Sequence, residues 1–291
     1  MNEDALALEQ DPEIRELIAR ALAEDVGSGD ATTLALVDAD ATASARIVAR
    51  HEVVPAGMGV AAEVFRQADP RLHCEILCPD GEPVGPGTAL VRIAGPARAL
   101  LTAERTALNL AQRMTGIATA TECLVRIVAD YGTLILDTRK TVPGLRRLDK
   151  YAVQCGGGTN HRIGLHDAIL IKDNHLAFWR QKNKGTLADA VRAARKAYPG
   201  LKIEIEVDTM DQLEEALPGQ PDWVLLDNMS PQLVAAAVIL CNGACKTEAS
   251  GGITKENVRE YARAGVTAIS IGALTHSSRA ADLGLDFIDP S

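Results

Sequence analysis

Basic side chains directly follow short apolar runs in the middle of the sequence. Residues 134 to 136 (LIL) are followed by Arg139 and Lys140, and residues 168 to 171 (AILI) are followed by Lys172. Short apolar runs that stop at polar residues are typical of buried parallel strands, whose carboxyl ends bind ligands in barrels and open α/β sheets. We therefore expect these basic residues to meet at one binding site.

The same stretch, residues 133 to 175, is locally positive in an acidic chain. It holds seven Lys and Arg against four Asp, whereas the whole protein has a formal net charge of −9. A local field of this kind favours a small polyanionic ligand over nucleic acid, which needs a broad basic face. The alternative is a solvated, salt-bridged surface. Gly156 to Gly158 lead directly into Asn160, His161 and Arg162, and three glycines cost backbone entropy unless close approach or positive φ is needed, so we prefer the binding site.

Acidic and apolar residues alternate in the segment KIEIEVD, residues 202 to 208. This period of two predicts a strand whose apolar side chains face outer helices and whose acids face the lumen or mouth of a barrel. The inward acids are Glu204, Glu206 and Asp208, and Asp227 ends the next apolar run. Carboxylates so close together need an opposing cation, either Lys172 or a divalent metal held through substrate phosphates.

Two glycine turns follow the last two predicted strands. Ser250, Gly251 and Gly252 precede a helix predicted to begin at Lys255, and Gly272 lies just before His276. Backbone amides near a helix start bind phosphate after the last two strands of many barrels. We therefore predict a phosphate site at these turns.

Strands that alternate with helices must position these residues. After residue 131 the predicted strand ends fall at 137, 160–162, 172, 206, 227, 248–252 and 272, with amphipathic helices over 187–198, 210–217, 231–240 and 255–264. This alternation implies a parallel sheet with right-handed crossovers, closed or nearly closed into a (β/α) barrel.

The first third of the chain has a different pattern. A helix is predicted over 11–25, a strand within 41–54, a helix near 59–68 and a short strand within the turn-rich residues 79–93. Together these elements indicate a mixed α/β layer with antiparallel strands. Residues 98–130 are helical, and we expect two helices that meet at Thr115 and Gly116.

Composition excludes several classes of protein. With 47% hydrophobic and 24% charged residues over 291 positions, the chain is an ordinary globular protein. No apolar run approaches the ~20 residues of a membrane helix, and no secretion signal opens the sequence, so we expect a cytoplasmic protein without membrane contact. The six cysteines include two C-x₃-C pairs, which we interpret as free thiols and not as metal ligands or disulfides.

The sequence resembles the quinolinate phosphoribosyltransferase family over nearly its whole length. The most specific blocks are DTRKT at 137–141, NHR at 160–162 and IKDNH at 171–175; others include EDVGSGDATT at 24–33, SGGI at 250–253 and GALTHS at 272–277. The resemblance implies an α/β fold with an open, TIM-like (β/α) barrel and a smaller N-terminal α/β sandwich. The expected division is 1–114 for the sandwich, 115–274 for the barrel, and 275–291 for a tail that returns to the sandwich.

The resemblance also implies a reaction. Quinolinate and phosphoribosyl pyrophosphate would react, with loss of pyrophosphate and CO2, to give nicotinate mononucleotide in NAD biosynthesis, with Mg²⁺ as cofactor and a homodimer sharing its active sites. The expected catalytic residues are Lys140, Lys172, Glu206 and Asp227, the last two also near the metal and the ribose. The quinolinate-binding residues would be Arg139, His161 and Arg162 with Lys140 and Lys172 alongside, and Arg105 from the partner subunit. The phosphate end would lie at Ser250, Gly251, Gly252, Gly272 and His276.

Two departures and two alternatives accompany this interpretation. Thr115 stands where the family more often has serine, and residues 178 to 185 form a basic loop with no clear counterpart. A molybdenum-transport-associated paralogue of the same fold, or a non-catalytic phosphometabolite-binding protein, would share much of the pattern. A Rossmann-type phosphoribosyltransferase is disfavoured, because that class carries paired acids after its diphosphate-site strand.

Overall fold

The computed structural model describes residues 8 to 288 in two compact units. The first unit contains the described residues up to 120, together with 143–157 and the segment from 278 onward. The second contains 121–142 and 158–277. Relative to the division expected from the sequence, the segment 143–157 groups with the first unit although it lies inside the predicted barrel span.

Helices and strands have the following bounds. The helices are α1 (Pro12–Val26), α2 (Ala31–Leu36), α3 (Met58–Ala68), α4 (Ala97–Val128), α5 (Arg146–Cys155), α6 (Asp173–Asn183), α7 (Leu187–Ala197), α8 (Met210–Ala216), α9 (Pro231–Cys241), α10 (Val258–Arg263) and α11 (Ala273–His276). The strands are β1 (Thr42–Ala49), β2 (His73–Ile76), β3 (Ala89–Pro96), β4 (Leu134–Leu136), β5 (Ile169–Ile171), β6 (Ile203–Val207), β7 (Trp223–Asp227), β8 (Lys246–Ser250), β9 (Ala268–Ser270) and β10 (Leu283–Ile288).

The first unit is built on an antiparallel sheet of strand order β10-β1-β3-β2. Its inner face and the helices enclose a core that includes Ile47, Phe65, Ile93, Leu100 and Met114, all fully buried. Because β10 pairs with β1, residues 283–288 form an edge of the N-terminal sheet. The predicted mixed layer of helices and antiparallel strands is confirmed.

Helix α4 runs without interruption, so the predicted break at Thr115 and Gly116 is wrong. Thr115 is buried, and its hydroxyl accepts a hydrogen bond from the amide of Ala56 at 3.2 Å. At Gly116 an added Cβ would clash with the backbone carbonyl of Arg279. The glycine therefore permits close packing of a neighbouring segment and does not end the helix.

The second unit is built on a parallel sheet of strand order β4-β9-β8-β7-β6-β5. Among the described residues β4 and β5 are its two edges, and Thr159 adds one isolated bridge to Leu136. Residues of β4, β5, β6 and β8 nevertheless line one small cavity, so the sheet curls back on itself. This geometry confirms the open barrel. The strand predicted to end at residues 160 to 162 is reduced to that single bridge.

Two further features concern the chain as described. Within residues 8 to 288, no helix is long and apolar enough to cross a lipid bilayer. The six cysteines are free thiols, with Cys78 and Cys241 buried.

We predict that Gly116→Ala destabilises the protein. Alanine normally favours a helix over glycine by about 1 kcal/mol, but the clash with the Arg279 carbonyl should reverse the sign and cost about 1–3 kcal/mol. Urea unfolding would measure the change. Gly85→Ala is the matched control, because an added Cβ there meets no atom within 4 Å. A stabilised Gly116→Ala variant would contradict the packing role.

Candidate active site

A cavity of about 590 Å³ lies at the carboxyl ends of the parallel strands. Because parallel strands end at one edge of a sheet, the residues that follow β4 to β8 converge there. The predicted residues that line it are Arg139, Lys140, His161, Arg162, Lys172, Glu206, Asp227, Ser250, Gly251 and Gly252. Most of the site residues predicted from the sequence therefore line this one cavity.

Three predicted residues lie elsewhere. Gly272 and His276 do not line this cavity, but a Cβ at Gly272 would lie 3.0 Å from Cδ of Lys140 and 3.3 Å from the His276 ring. These two residues therefore lie beside Lys140, just behind the cavity wall. Arg105 is exposed on α4 in the first unit.

The arginines in the cavity lack acidic partners. Nε of Arg139 is buried without a hydrogen-bond acceptor, and Arg162 donates through Nη1 to the carbonyl of Ala168 at 3.1 Å. Neither guanidinium has an ion pair among the described residues. Burial, together with the adjacent charge of Arg139, lowers the pKa of Arg162 from its usual range. Glu204 and Asp167 attract Arg162 from a distance, but neither forms a direct ion pair with it, so the two neighbouring cations form a site for an anion.

Acids lie on the other side of the cavity. Lys172 Nζ contacts Glu206 Oε2, which confirms the expected ion pair between this lysine and the acids of β6. On the adjacent strand, Asn228 donates through Nδ2 to Asp227 at 2.6 Å. Asp208 is exposed and does not line the cavity, so the predicted inward row of three acids shortens to two.

His161 joins two buried acids at the floor of the cavity. Its Nε2 lies 3.0 Å from Oε2 of Glu204 and 3.4 Å from Oε2 of Glu248, and its Nδ1 accepts from the backbone N–H of Arg162 at 2.7 Å. The carboxylate of Asp137, which is fully buried, accepts from the His161 amide at 2.9 Å. The backbone amides of His161 and Arg162 are thus both hydrogen-bonded, which fixes the loop that carries them.

The cluster of His161, Glu204 and Glu248 retains an extra proton near neutral pH. Burial raises the pKa of Glu204 to about 7. The hydrogen bond from His161 opposes this rise, and the charge of Glu248 adds to it. Burial would lower the pKa of His161, but the hydrogen bonds and charges of both carboxylates raise it. Coupled groups share such a proton. Since Nδ1 already accepts from the Arg162 amide, the extra proton lies on the carboxylate side.

Sequence reasoning missed this cluster. The period of two placed Glu204 among acids that face the lumen or mouth of the barrel but gave it no specific partner. Glu248 had no predicted role, although it lies two residues before Ser250 on the same face of β8. An acid at that inward position, facing an inward acid of β6, was the signal available in the sequence.

Backbone conformation shapes the Ser250 turn. Gly251 and Gly252 have φ of 95° and 62°, in the left-handed region that favours glycine. A Cβ at Gly251 would also clash with Oδ1 of Asn228, whose own φ is 54°. The helix that follows begins at Val258 and not at Lys255 as predicted. Residues 178 to 183, expected to be a loop, belong to α6.

Family models and curated relatives match this chain over most of its length, and they name the same family. The family models "Quinolinate phosphoribosyl transferase, N-terminal domain" and "C-terminal domain" match residues 30–115 and 117–286. The nicotinate-nucleotide pyrophosphorylase [carboxylating] of Mycobacterium leprae is 45% identical over 280 residues, covering 94% of this chain and 96% of the relative. A probable enzyme of the same name from Bacillus subtilis is 41% identical over 275 residues, covering 94% and 93%.

Solved structures show the same fold. The nicotinate-nucleotide pyrophosphorylase of Francisella tularensis has a TM-score of 0.90 and 38% identity, covering 98% of this chain and all of that one. That of Ehrlichia chaffeensis has a TM-score of 0.88 and 39% identity, covering 94% and 98%. Both domain models match and the relatives are covered almost completely. The chain therefore belongs to the quinolinate phosphoribosyl transferase family.

Proposed function

We propose that the 590 Å³ cavity is where this enzyme transfers a phosphoribosyl group to quinolinate. The family reaction joins phosphoribosyl pyrophosphate and quinolinate, releases pyrophosphate and CO2, and forms nicotinate mononucleotide for NAD biosynthesis.

The observation that carries the proposal is the pair of arginines without acidic partners. Arg139 and Arg162 lie next to each other, and Nε of Arg139 is buried without an acceptor. A buried unpaired cation is unfavourable unless a ligand supplies the counter-charge. A planar pyridine dicarboxylate presents two anionic forks, which suit bidentate guanidinium groups better than lysine. Quinolinate would bind its carboxylates here.

The opposite part of the cavity suits the phosphoribosyl group. Ser250, Gly251 and Gly252 expose backbone amides in a turn with positive φ, which is a common way to bind phosphate. Glu206 and Asp227 lie on adjacent strands and face the same space. Their negative charge would stabilise the positive charge that develops on the ribose as pyrophosphate departs.

Bond changes in the reaction require no protein nucleophile. The pyridine nitrogen attacks C1 of the ribose, and the bond from C1 to the pyrophosphate oxygen breaks. The bond from C2 to its carboxylate carbon then breaks, CO2 leaves, and the electron pair stays on C2 beside the cationic ring nitrogen until a proton replaces it. Arg139 and Arg162 would orient the carboxylates, while Lys140 and Lys172 would meet the charge of the leaving group.

Glu206 and Asp227 also fit magnesium as a cofactor. Both are oxygen donors at the cavity, and Mg²⁺ is usually held by one or two carboxylates together with substrate phosphates. The ion would neutralise charge on the pyrophosphate. Lys172 already contacts Glu206, so we expect Glu206 to act through substrate or water and not as a direct ligand.

We further propose that the enzyme is a cytoplasmic homodimer with shared active sites. Arg105 is exposed on α4, where a second copy of the chain can reach it, and it does not line the cavity of its own second unit. Six free cysteines accord with a reducing compartment.

One assay tests the reaction. The protein is incubated with phosphoribosyl pyrophosphate, Mg²⁺ and quinolinate labelled at the 2-carboxylate, and both nicotinate mononucleotide and labelled CO2 are measured. Equal amounts of the two products are expected. Tight quinolinate binding without either product would contradict the enzymatic function and favour a sensor.

Arg139→Ala should weaken quinolinate binding strongly. Truncating one side of a buried charged contact costs about 2–5 kcal/mol, so Kd should rise by roughly 30-fold to 5,000-fold. Isothermal calorimetry with quinolinate measures this directly. Arg20→Ala is the control, because Arg20 forms a surface pair with Glu16 in the first unit. Equal affinity in Arg139→Ala and wild type would remove the proposed role.

Gly251→Ala should impair the phosphoribosyl end of the cavity. Alanine would be strained at a φ of 95° and would displace Asn228, which adjoins Asp227. We expect KM for phosphoribosyl pyrophosphate to rise about tenfold or more, with quinolinate affinity changed little. Gly200→Ala, where space is open, is the control. A loss confined to quinolinate affinity would contradict this assignment.

Arg105→Ala and Lys172→Ala subunits should complement each other if active sites are shared. Each variant alone lacks one essential side chain in both sites, whereas a mixed dimer contains one intact site. Random mixing should therefore restore roughly a quarter of the wild-type specific activity. Verified mixed dimers without activity would exclude sharing through Arg105.

A further inference from the structure

Both ring nitrogens of His161 are already bound by the protein. Nδ1 accepts from the Arg162 amide at 2.7 Å, and Nε2 faces Glu204 at 3.0 Å and Glu248 at 3.4 Å. An imidazole nitrogen that accepts an N–H bond carries no proton, so Nε2 carries the ring proton and donates it toward the carboxylates. This arrangement leaves neither nitrogen for a substrate carboxylate.

Glu204 and Glu248 contact the His161 ring from two different strands, and both acids are buried. Glu204 is 7% exposed and Glu248 is 1% exposed, and they come from β6 and β8, which are separated by β7. His161 thus connects two strands across the barrel interior. Two acceptors on one N–H, together with the Nδ1 contact, fix the plane of the ring.

Arg162 depends on that ring. Its backbone N–H donates to His161, and its guanidinium donates to the Ala168 carbonyl at 3.1 Å. Both ends of the residue are therefore held while the side chain faces the cavity beside Arg139. An arginine fixed in this way loses little rotamer entropy when it binds a carboxylate.

We propose that Glu204 and Glu248 are positioning residues for quinolinate, which act through His161 on the orientation of Arg162. The proposal rests on the function proposed above, and it adds two residues that act through His161; Glu204 does not line the cavity, whereas Glu248 lies in its wall. It also makes His161 a support for Arg162 and not itself a carboxylate ligand.

The same three side chains could instead form a metal centre. The ligand atoms of His161, Glu204 and Glu248 lie within 4.8 Å of one another, and one oxygen of each glutamate is buried without a partner. The separation of 3.0 Å between Nε2 and Glu204 is already that of a hydrogen bond, so no ion is needed to explain it. Metal analysis of the purified protein separates the two cases.

The test is a double-mutant cycle read by quinolinate binding. Glu248→Ala should raise the quinolinate Kd about tenfold to a hundredfold, because a displacement on the order of 1 Å has effects of this size. KM for phosphoribosyl pyrophosphate should change by less than about twofold, because no Ser250 turn contact is lost. Glu248→Gln keeps an oxygen acceptor for Nε2–H and should retain most of the affinity. The corresponding Glu204 variants should behave alike.

Arg162→Ala supplies the decisive arm of the cycle. If the acids act through Arg162, adding Glu248→Ala to Arg162→Ala should cause no further loss of quinolinate affinity. Glu63→Ala is the matched control, since Glu63 is a buried glutamate, 5% exposed, that pairs with arginines in the first unit. It should lower stability without changing quinolinate affinity.

Several outcomes would overturn the proposal. These are full additivity of the Glu248→Ala and Arg162→Ala effects, an equal rise in KM for both substrates, or a stoichiometric divalent ion that Glu248→Gln removes. Should Glu248→Ala fail to fold, the isosteric Gln variants still test the proposal. Loss of quinolinate binding in both would show that an oxygen acceptor for Nε2–H is not sufficient, which would contradict the positioning role. Failure of the wild type to form product would refute the proposed function, whereas quinolinate binding tests the positioning separately.

Discussion

The second unit depends on holding cations close together at the carboxyl edge of a parallel sheet before any ligand binds. Arg139 and Arg162 repel each other, and burial makes that repulsion stronger than it would be in water. Backbone contacts offset part of this cost, since the Arg162 side chain donates to a carbonyl and its amide to His161. Glu204, which pairs with His161 and does not line the cavity, also attracts Arg162 and offsets a further part.

The buried acids do not neutralise the arginines directly, because they contact His161 and not the guanidinium of Arg162. An ion pair on Arg162 would occupy the guanidinium that the ligand needs, whereas carboxylates held behind His161 lower the electrostatic cost of the cations and leave their donors available. Lys172 and Glu206 show the other solution, a direct pair at the cavity wall. The first arrangement leaves the guanidinium donors of Arg162 available to a ligand, whereas in the second the lysine already has an acidic partner.

Much of the fold and part of the candidate site follow from the sequence. Apolar runs that stop at polar residues located β5 and β7, because strand ends are local features. A period of two shows which face a residue occupies but not how deep it lies, so the sequence left Glu204 at either the lumen or the mouth and did not predict its burial with His161. Gly116 could not be interpreted locally either, because its role depends on Arg279, which is distant in sequence. The helix start at Val258 similarly depends on turn contacts around Asn257.

The cavity arginines, which form no direct ion pair, also link ligand binding to stability. An anion that pairs with Arg139 and Arg162 removes their mutual repulsion and supplies the missing acceptor for Arg139 Nε, so its binding free energy includes relief of a cost already present in the folded chain. A ligand that binds only the folded state stabilises it by RT ln(1 + [L]/Kd). The stability of this unit and the affinity of an anion for Arg139 and Arg162 are therefore two measures of one electrostatic arrangement.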